Sequence, residues 1–347
     1  MVAGTIYVIL SILGMVVASR KSFSSSSFTF FLFFVPAVFL VLFFHAGAYG
    51  LYSGLKIASM YLIFLSSKKY RNYALQATSL GLFVQFLIYL PDSHISKINP
   101  IPAISFILLA ATVNRHPRAS NFLFLFGAVG LGLNVFLCAY RTQFVLCAML
   151  IVMRYSPRSI RAYLIVLVST IPILFSCGLA TVGFILSHSG LLGGGQMISV
   201  APTASNVERT LLSFDAYRLL PTHPFGLTMS TYVNTVQASA DSLGRNIYSD
   251  TALDPHNFVS FMVMDLGIIG LFISLYVSRR TLLRSLRLYY SGQYTIVSLL
   301  LPILAIMASL YTFSTEFRLV FSVALGALLA TPPSTGDVVP GNVSELR

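Results

Sequence analysis

Charge is what this chain has least of: Asp, Glu, Lys and Arg together make up 9% of its 347 residues. A soluble globular domain carries about 25%. So little polar material cannot cover the core that a 56% hydrophobic composition implies, which argues against a soluble protein. Acidic residues are scarcer still, ten against 22 basic ones. The net charge of +12 is spread in short clusters between apolar segments, so no nucleic acid is expected and membrane lipids are the expected anionic partner. Cysteine is limited to Cys138, Cys147 and Cys177, all in apolar segments, so no disulfide framework or thiolate metal site is implied. There is no H-E-x-x-H, no paired Asp motif for a divalent metal and no G-x-x-x-x-G-K-[ST] phosphate loop. Chemistry without metal or cofactor is therefore expected. The N-terminus also lacks a basic region and a cleavage site, so it reads as a retained helix.

What the chain does have is apolar runs long enough to cross a bilayer. Eleven are read, at 2–19, 28–44, 50–66, 73–91, 98–113, 119–136, 138–153, 162–186, 256–278, 293–312 and 316–331. The fold class expected is an all-α polytopic membrane protein, with 1–331 as one transmembrane helical domain of about eleven (ten to twelve) helices. Pro332, Pro333, Gly336 and Pro340 mark 332–347 as a disordered cytoplasmic tail. Fourteen Lys/Arg residues and no acid occupy five loops, around Arg20, Lys68, Arg115, Arg154 and Arg279. In the eleven-span topology all five fall on one side, which is then cytoplasmic. The opposite loops carry seven acids: Asp92, Glu208, Asp215, Asp241, Asp250, Asp254 and Glu316.

This places the 69 residues 187–255 outside the cytoplasm, and polar segments of that length are uncommon unless functional. Gly193-Gly194-Gly195 reads as a linker. Ser205-Asn206-Val207-Glu208 fits a capping box. Val207, Leu211, Phe214 and Arg218 then follow at helical spacing, which predicts a short amphipathic helix at the outer membrane–water boundary. His223-Pro224-Phe225-Gly226 reads as the structural turn that ends it.

The strongest local pattern is Asp254-Pro255-His256-Asn257. Asp before Pro predicts a helix start, with Asp254 as cap and His256 in the first turn at the outer surface. There the helix dipole disfavours imidazolium, and a neutral imidazole can take a proton from a sugar hydroxyl. A wet interfacial histidine is the plainer alternative. Arg141 falls four residues into the 138–153 span, where arginine costs a few kcal/mol and is usually functional or paired. Glu316 and Asp265 are its candidate partners. Arg209 and Arg218 lie nine residues apart, on opposite faces of the loop helix. Asp215 can pair with Arg218, whereas Arg209 has no acid at its neighbouring positions and suits an anionic ligand. Asp265, roughly 13 Å further along the helix than His256, reads as a packed structural acid. Arg318 and Glu316 form an ion pair or contribute to the outer site.

The sequence His256-Asn257, nine residues, Gly267, two residues, Gly270 resembles the H-[NSQ]-x9-G-x-x-[GTY] signature of the O-antigen ligase and polymerase family. Asn206-Val207-Glu208-Arg209 leading to His223-Pro224-Phe225-Gly226 is similar as well, and the resemblance covers residues 119–280. Arg141 resembles the family's membrane arginine, although here it follows Tyr140 where the family commonly has Ser. The resemblance implies an inverting, metal-independent glycosyltransferase whose donor is an undecaprenyl-diphosphate-linked glycan. By position, Arg141 and Arg209 would bind the donor diphosphate, His256 would deprotonate or orient the acceptor hydroxyl, and Asn257 would position it. Arg218 and Arg318 complete the substrate-binding candidates. The acceptor would be another lipid-linked glycan in a polymerase, which is preferred, or lipid A-core in a ligase. A flippase of lipid-linked sugars and a non-catalytic partner in an export complex are the readings from other classes. A chain-length regulator or an export complex is the protein partner to look for.

Overall fold

The computed structural model describes residues 63–65, 67–68, 70–89, 101–113, 116–138, 141–188, 204–227, 231, 234, 257–309 and 315–331. The spans read at 2–19 and 28–44, most of 50–66, the Gly193–Gly195 linker, Asp254 to His256 and the tail lie outside them. Among the described residues every regular element is helical. The order is α1 (Arg71–Tyr89), α2 (Ile101–Thr112), α3 (Pro117–Cys138), α4 (Arg141–Tyr155), α5 (Arg158–His188), α6 (Ala204–Arg218), α7 (Phe258–Leu266), α8 (Ile268–Tyr290), α9 (Tyr294–Ser309) and α10 (Thr315–Ala330). The all-α expectation holds, and helices lie under each of the spans read from 73–91 onward.

Length separates these helices. At 1.5 Å per residue, the 12-residue α2 is about 18 Å long against a hydrocarbon core of about 30 Å. Among the described residues, α5 is the one helix long and apolar enough to cross a membrane. Only 28% of its apolar stretch is buried, and Tyr163, Leu167, Leu174 and Ile185 are exposed, whereas the core helix of a soluble protein would be mostly buried. Pro172 sits inside it, removing one backbone donor and leaving the carbonyl of Val168 without its intrahelical partner.

Three boundaries differ from the sequence reading. The segment 256–278 is two helices, α7 and α8, broken at Gly267. The cap of α7 is Asn257, so neither Asp254 nor Pro255 starts the helix and His256 precedes the cap instead of lying in the first turn. Helix α4 begins at Arg141, so this arginine opens the helix instead of sitting four residues inside an apolar span. There it stands among the backbone N–H groups that a helix start leaves without intrahelical acceptors.

The described residues divide into two compact units. The second takes in Ser67–Ser169, Arg279–Leu304 and the chain from Val323. Within it, α2 and α3 approach closely at Gly127, where a Cβ would lie 2.7 Å from the Ile107 side chain and 2.8 Å from the Ala103 carbonyl oxygen. Hydroxyls bind backbone across these helices, Ser79 donating to the Ser105 carbonyl at 2.7 Å and Ser120 to the Ala110 carbonyl at 3.1 Å. Several basic residues read as topology signals also cap helix ends. Arg161 donates to the Ser156 carbonyl just beyond α4 and lies over the Tyr294 ring, 4.4 Å from its centre. Arg71 and Arg284 both bind Thr331, at the end of α10. Cations at helix C-termini satisfy the last carbonyls and complement the dipole.

Candidate functional site

The first unit takes in Thr170–Ser278 and Ala305–Ser322, including the chain just after His256. Asn257 has extended backbone (φ −144°, ψ 132°), and its side-chain oxygen accepts from the N–H groups of Val259 (2.9 Å) and Ser260 (3.2 Å). That satisfies two donors the helix start would otherwise orphan. Its amide nitrogen lies 3.4 Å from the Pro172 carbonyl oxygen, and the residue is 0% exposed. Every residue of α7 is buried. Asn257 is thus occupied as a cap.

The far end of α7 is held by the turn that follows α6. Leu227 N–H donates to the Met264 carbonyl (2.8 Å), and Ile268 N–H, the first donor of α8, binds the Pro224 carbonyl (2.9 Å). One turn therefore closes the end of one helix and the start of the next. So close a backbone approach demands glycine. Gly267 has φ +59°, ψ −133°, a region L side chains avoid, and a Cβ there would lie 2.0 Å from the Pro224 oxygen. Gly226 has φ +101°, and a Cβ would lie 2.4 Å from the Asp265 carbonyl oxygen. At Gly270 a Cβ would lie 1.8 Å from the Met262 oxygen, because α8 passes directly over the backbone of α7.

Helix α6, read from the sequence as an amphipathic helix, packs one face on protein. Residues Thr210 to Ser213, Asp215 and Ala216 are buried, and Leu212 and Ala216 pack with Leu227, Val263 and Met264. At Gly183 a Cβ would meet the Thr210 carbonyl oxygen at 2.5 Å, so α5 provides a notch for the same helix. Three hydroxyls join these elements: Ser176 Oγ of α5 is 2.7 Å from Tyr217 Oη of α6 and 2.8 Å from Ser260 Oγ of α7. Burial pushes the Tyr217 hydroxyl above its usual range, opposed by its bonds to the serines. The folded state thus holds this proton more tightly than the unfolded chain. Its contribution to stability is complete below the ordinary tyrosine value of about 10 and fades only as pH rises through the folded value.

Arg318, near the start of α10, is 8% exposed and places its guanidinium over the Phe261 ring, 5.4 Å from the centre. Phe321, one turn on, packs on Phe258 at 5.0 Å. Arg318 and Asn257 are therefore both tied to α7. Asp265 is buried in the last turn of α7, as a packed acid should be. Arg218 forms the local pair expected, 2.8 Å from Asp215, and lies over Phe214. The chain passes through Arg209 within α6 and opens α4 with Arg141, in the other unit. The side chains of Arg141, Arg209 and Glu316, the capping box at Ser205, and all of His256 lie outside the described residues.

No family model, curated protein or solved structure matches this chain. The site therefore rests on its own geometry. Ser176, Ser260 and Tyr217 do not stand out in the sequence. A serine inside an apolar span and one three residues after an Asn cap are the only signals, and both patterns are common. Arg218 is the weakest of the candidates, because Asp215 occupies it. Its side chain is 57% exposed, so Arg218→Ala is expected to lower stability by about 1 kcal/mol or less, a shift of a few degrees in a thermal melt of the purified protein.

Proposed function

We propose that the chain is a multi-pass inner-membrane glycosyltransferase that joins undecaprenyl-diphosphate-linked oligosaccharide units at the outer face of the bilayer. One observation carries the reading. Each of the three described positions of the H-N-x9-G-x-x-G pattern has its own structural role. Asn257 caps α7, Gly267 breaks the chain at positive φ, and Gly270 lets two backbones touch. A chance match has no reason to fall on positions where the backbone admits glycine alone. The exposed apolar surface of α5 supports the membrane setting, since water would leave it unsatisfied and lipid would not.

In this reading Arg141 and Arg209 bind the donor diphosphate, where guanidinium groups pair well with phosphate oxygens. Arg318 adds a cation close to α7. The acceptor hydroxyl oxygen attacks the anomeric carbon of the donor sugar. The bond from that carbon to the diphosphate breaks, its electron pair leaves with the diphosphate, and the hydroxyl proton passes to the His256 imidazole. Direct displacement inverts the anomeric centre. No step draws on a metal, so chain growth is expected to continue undiminished in excess EDTA, measured by gel analysis of the glycan product.

A second reading has an observation of its own. Broken helices such as α7–α8 also build the central sites of transporters, which favours a flippase of lipid-linked sugars. Purified protein incubated with a lipid-linked oligosaccharide separates the readings. A ladder of longer glycans supports the polymerase, and transfer to lipid A-core alone marks a ligase. Movement across the bilayer without new glycosidic bonds rejects both in favour of transport.

A further inference from the structure

We infer that Tyr217 is a positioning residue: its hydroxyl, through Ser176 and Ser260, fixes the loop helix that carries Arg209 against the helix whose start adjoins His256. The inference rests on the glycosyltransferase reading for its catalytic consequence and on geometry alone for the latch.

Tyr217 lies one residue before the end of α6, and its ring packs against the buried cluster of Leu212, Ala216, Leu227, Val263 and Met264. Its hydroxyl reaches past that cluster to Ser176, whose oxygen is fully buried and also meets Ser260. Ser260 is the residue whose backbone N–H is held by the Asn257 cap. An unbroken chain of polar contacts thus runs from α6 to the first turn of α7. The apolar contacts of the same face are non-directional and tolerate sliding of one helix along the other. Hydroxyl contacts of 2.7 and 2.8 Å do not, because a shift of about 1 Å breaks them and leaves buried oxygens unsatisfied. The Leu227–Met264 and Pro224–Ile268 bonds hold the opposite end of α7. The C-terminal end of α6, through Tyr217, and the turn that follows it are thereby both held in register.

Such register matters for a displacement in which donor and acceptor are held by different helices, since an ångström of misplacement can lower a rate by about 100-fold. Tyr217→Phe keeps the ring and removes the hydroxyl. The expected result is a fall of about tenfold or more in kcat for chain growth, with KM for the lipid-linked donor within about twofold. Backbone hydrogen exchange over residues 204–218 is expected to quicken in the same variant. Ser176→Ala should reproduce both effects, and the double variant should be no worse than either single one. An unchanged kcat overturns the positioning role, whether or not exchange quickens. Unchanged exchange overturns the latch itself. If the wild-type protein forms no glycosidic bond, the polymerase reading fails separately, and exchange alone then decides whether the latch exists.

Discussion

Gly270→Ala is expected to abolish recovery of folded protein. A Cβ at this position would lie 1.8 Å from the Met262 carbonyl oxygen, 2.4 Å from its carbon and 3.1 Å from Val263 N. All three neighbours are backbone, so no side chain can swing aside. Relief requires α7 to move bodily. That movement would break the Leu227–Met264 and Pro224–Ile268 bonds at one end of α7 and the Ser260–Ser176 contact at the other. The loss should exceed about 4 kcal/mol, a large share of the 5–15 kcal/mol that holds a typical protein folded. Gly178, in α5, is the control. A Cβ there meets nothing within 4 Å, so Gly178→Ala should melt at or slightly above the wild-type temperature. Size-exclusion profiles and melting curves of both variants in detergent check the pair. A Gly270→Ala protein that elutes as a sharp peak and melts within a few degrees of wild type would mean that α8 does not cross α7 as described.

If the proposed glycosyl transfer is correct, His256→Ala and Arg141→Ala are expected to leave the fold intact and to remove that transfer. A positioned general base contributes about 10²- to 10⁴-fold, so the histidine variant should lose that much in kcat with little change in donor KM. Loss of a guanidinium that stabilises the departing diphosphate should lower kcat by about 10²- to 10³-fold. Arg141→Lys should recover little, because an ammonium group cannot reproduce bidentate phosphate pairing. Initial rates on purified, folded variants decide the matter. A rate within threefold of wild type in either variant would remove that residue from the mechanism.

The helices were legible because apolar runs separated by basic clusters are a long-range pattern that local accidents do not hide. The break at Gly267 was not. Residues 256–278 read as one uninterrupted run, and an isolated glycine is tolerated inside a helix. What breaks it is the turn at Pro224–Leu227, whose backbone occupies the space a continuous helix would need. No spacing rule connects those two stretches. The cap was misread for a related reason. Asp254 and Asn257 are both good caps by type, and the buried Pro172 carbonyl beside Asn257 is visible only once α5 is in place. The stripe read on α6 was Val207, Leu211, Phe214 and Arg218, whereas the residues that pack on Val263 and Met264 of α7 are Leu212 and Ala216. The hydroxyl trio joins residues 41 and 84 positions apart, and serine in an apolar run carries no signal by itself. The pairing of Arg218 with Asp215 was legible because both partners lie within one helical turn.

The most direct test counts undecaprenyl diphosphate released against glycosidic bonds formed when the purified wild-type protein meets a single lipid-linked oligosaccharide. Direct displacement on the anomeric carbon predicts one lipid diphosphate freed for each new bond, with the donor sugar inverted in the product. Intact lipid-linked oligosaccharide at the end of the reaction, merely redistributed across the bilayer, would contradict it.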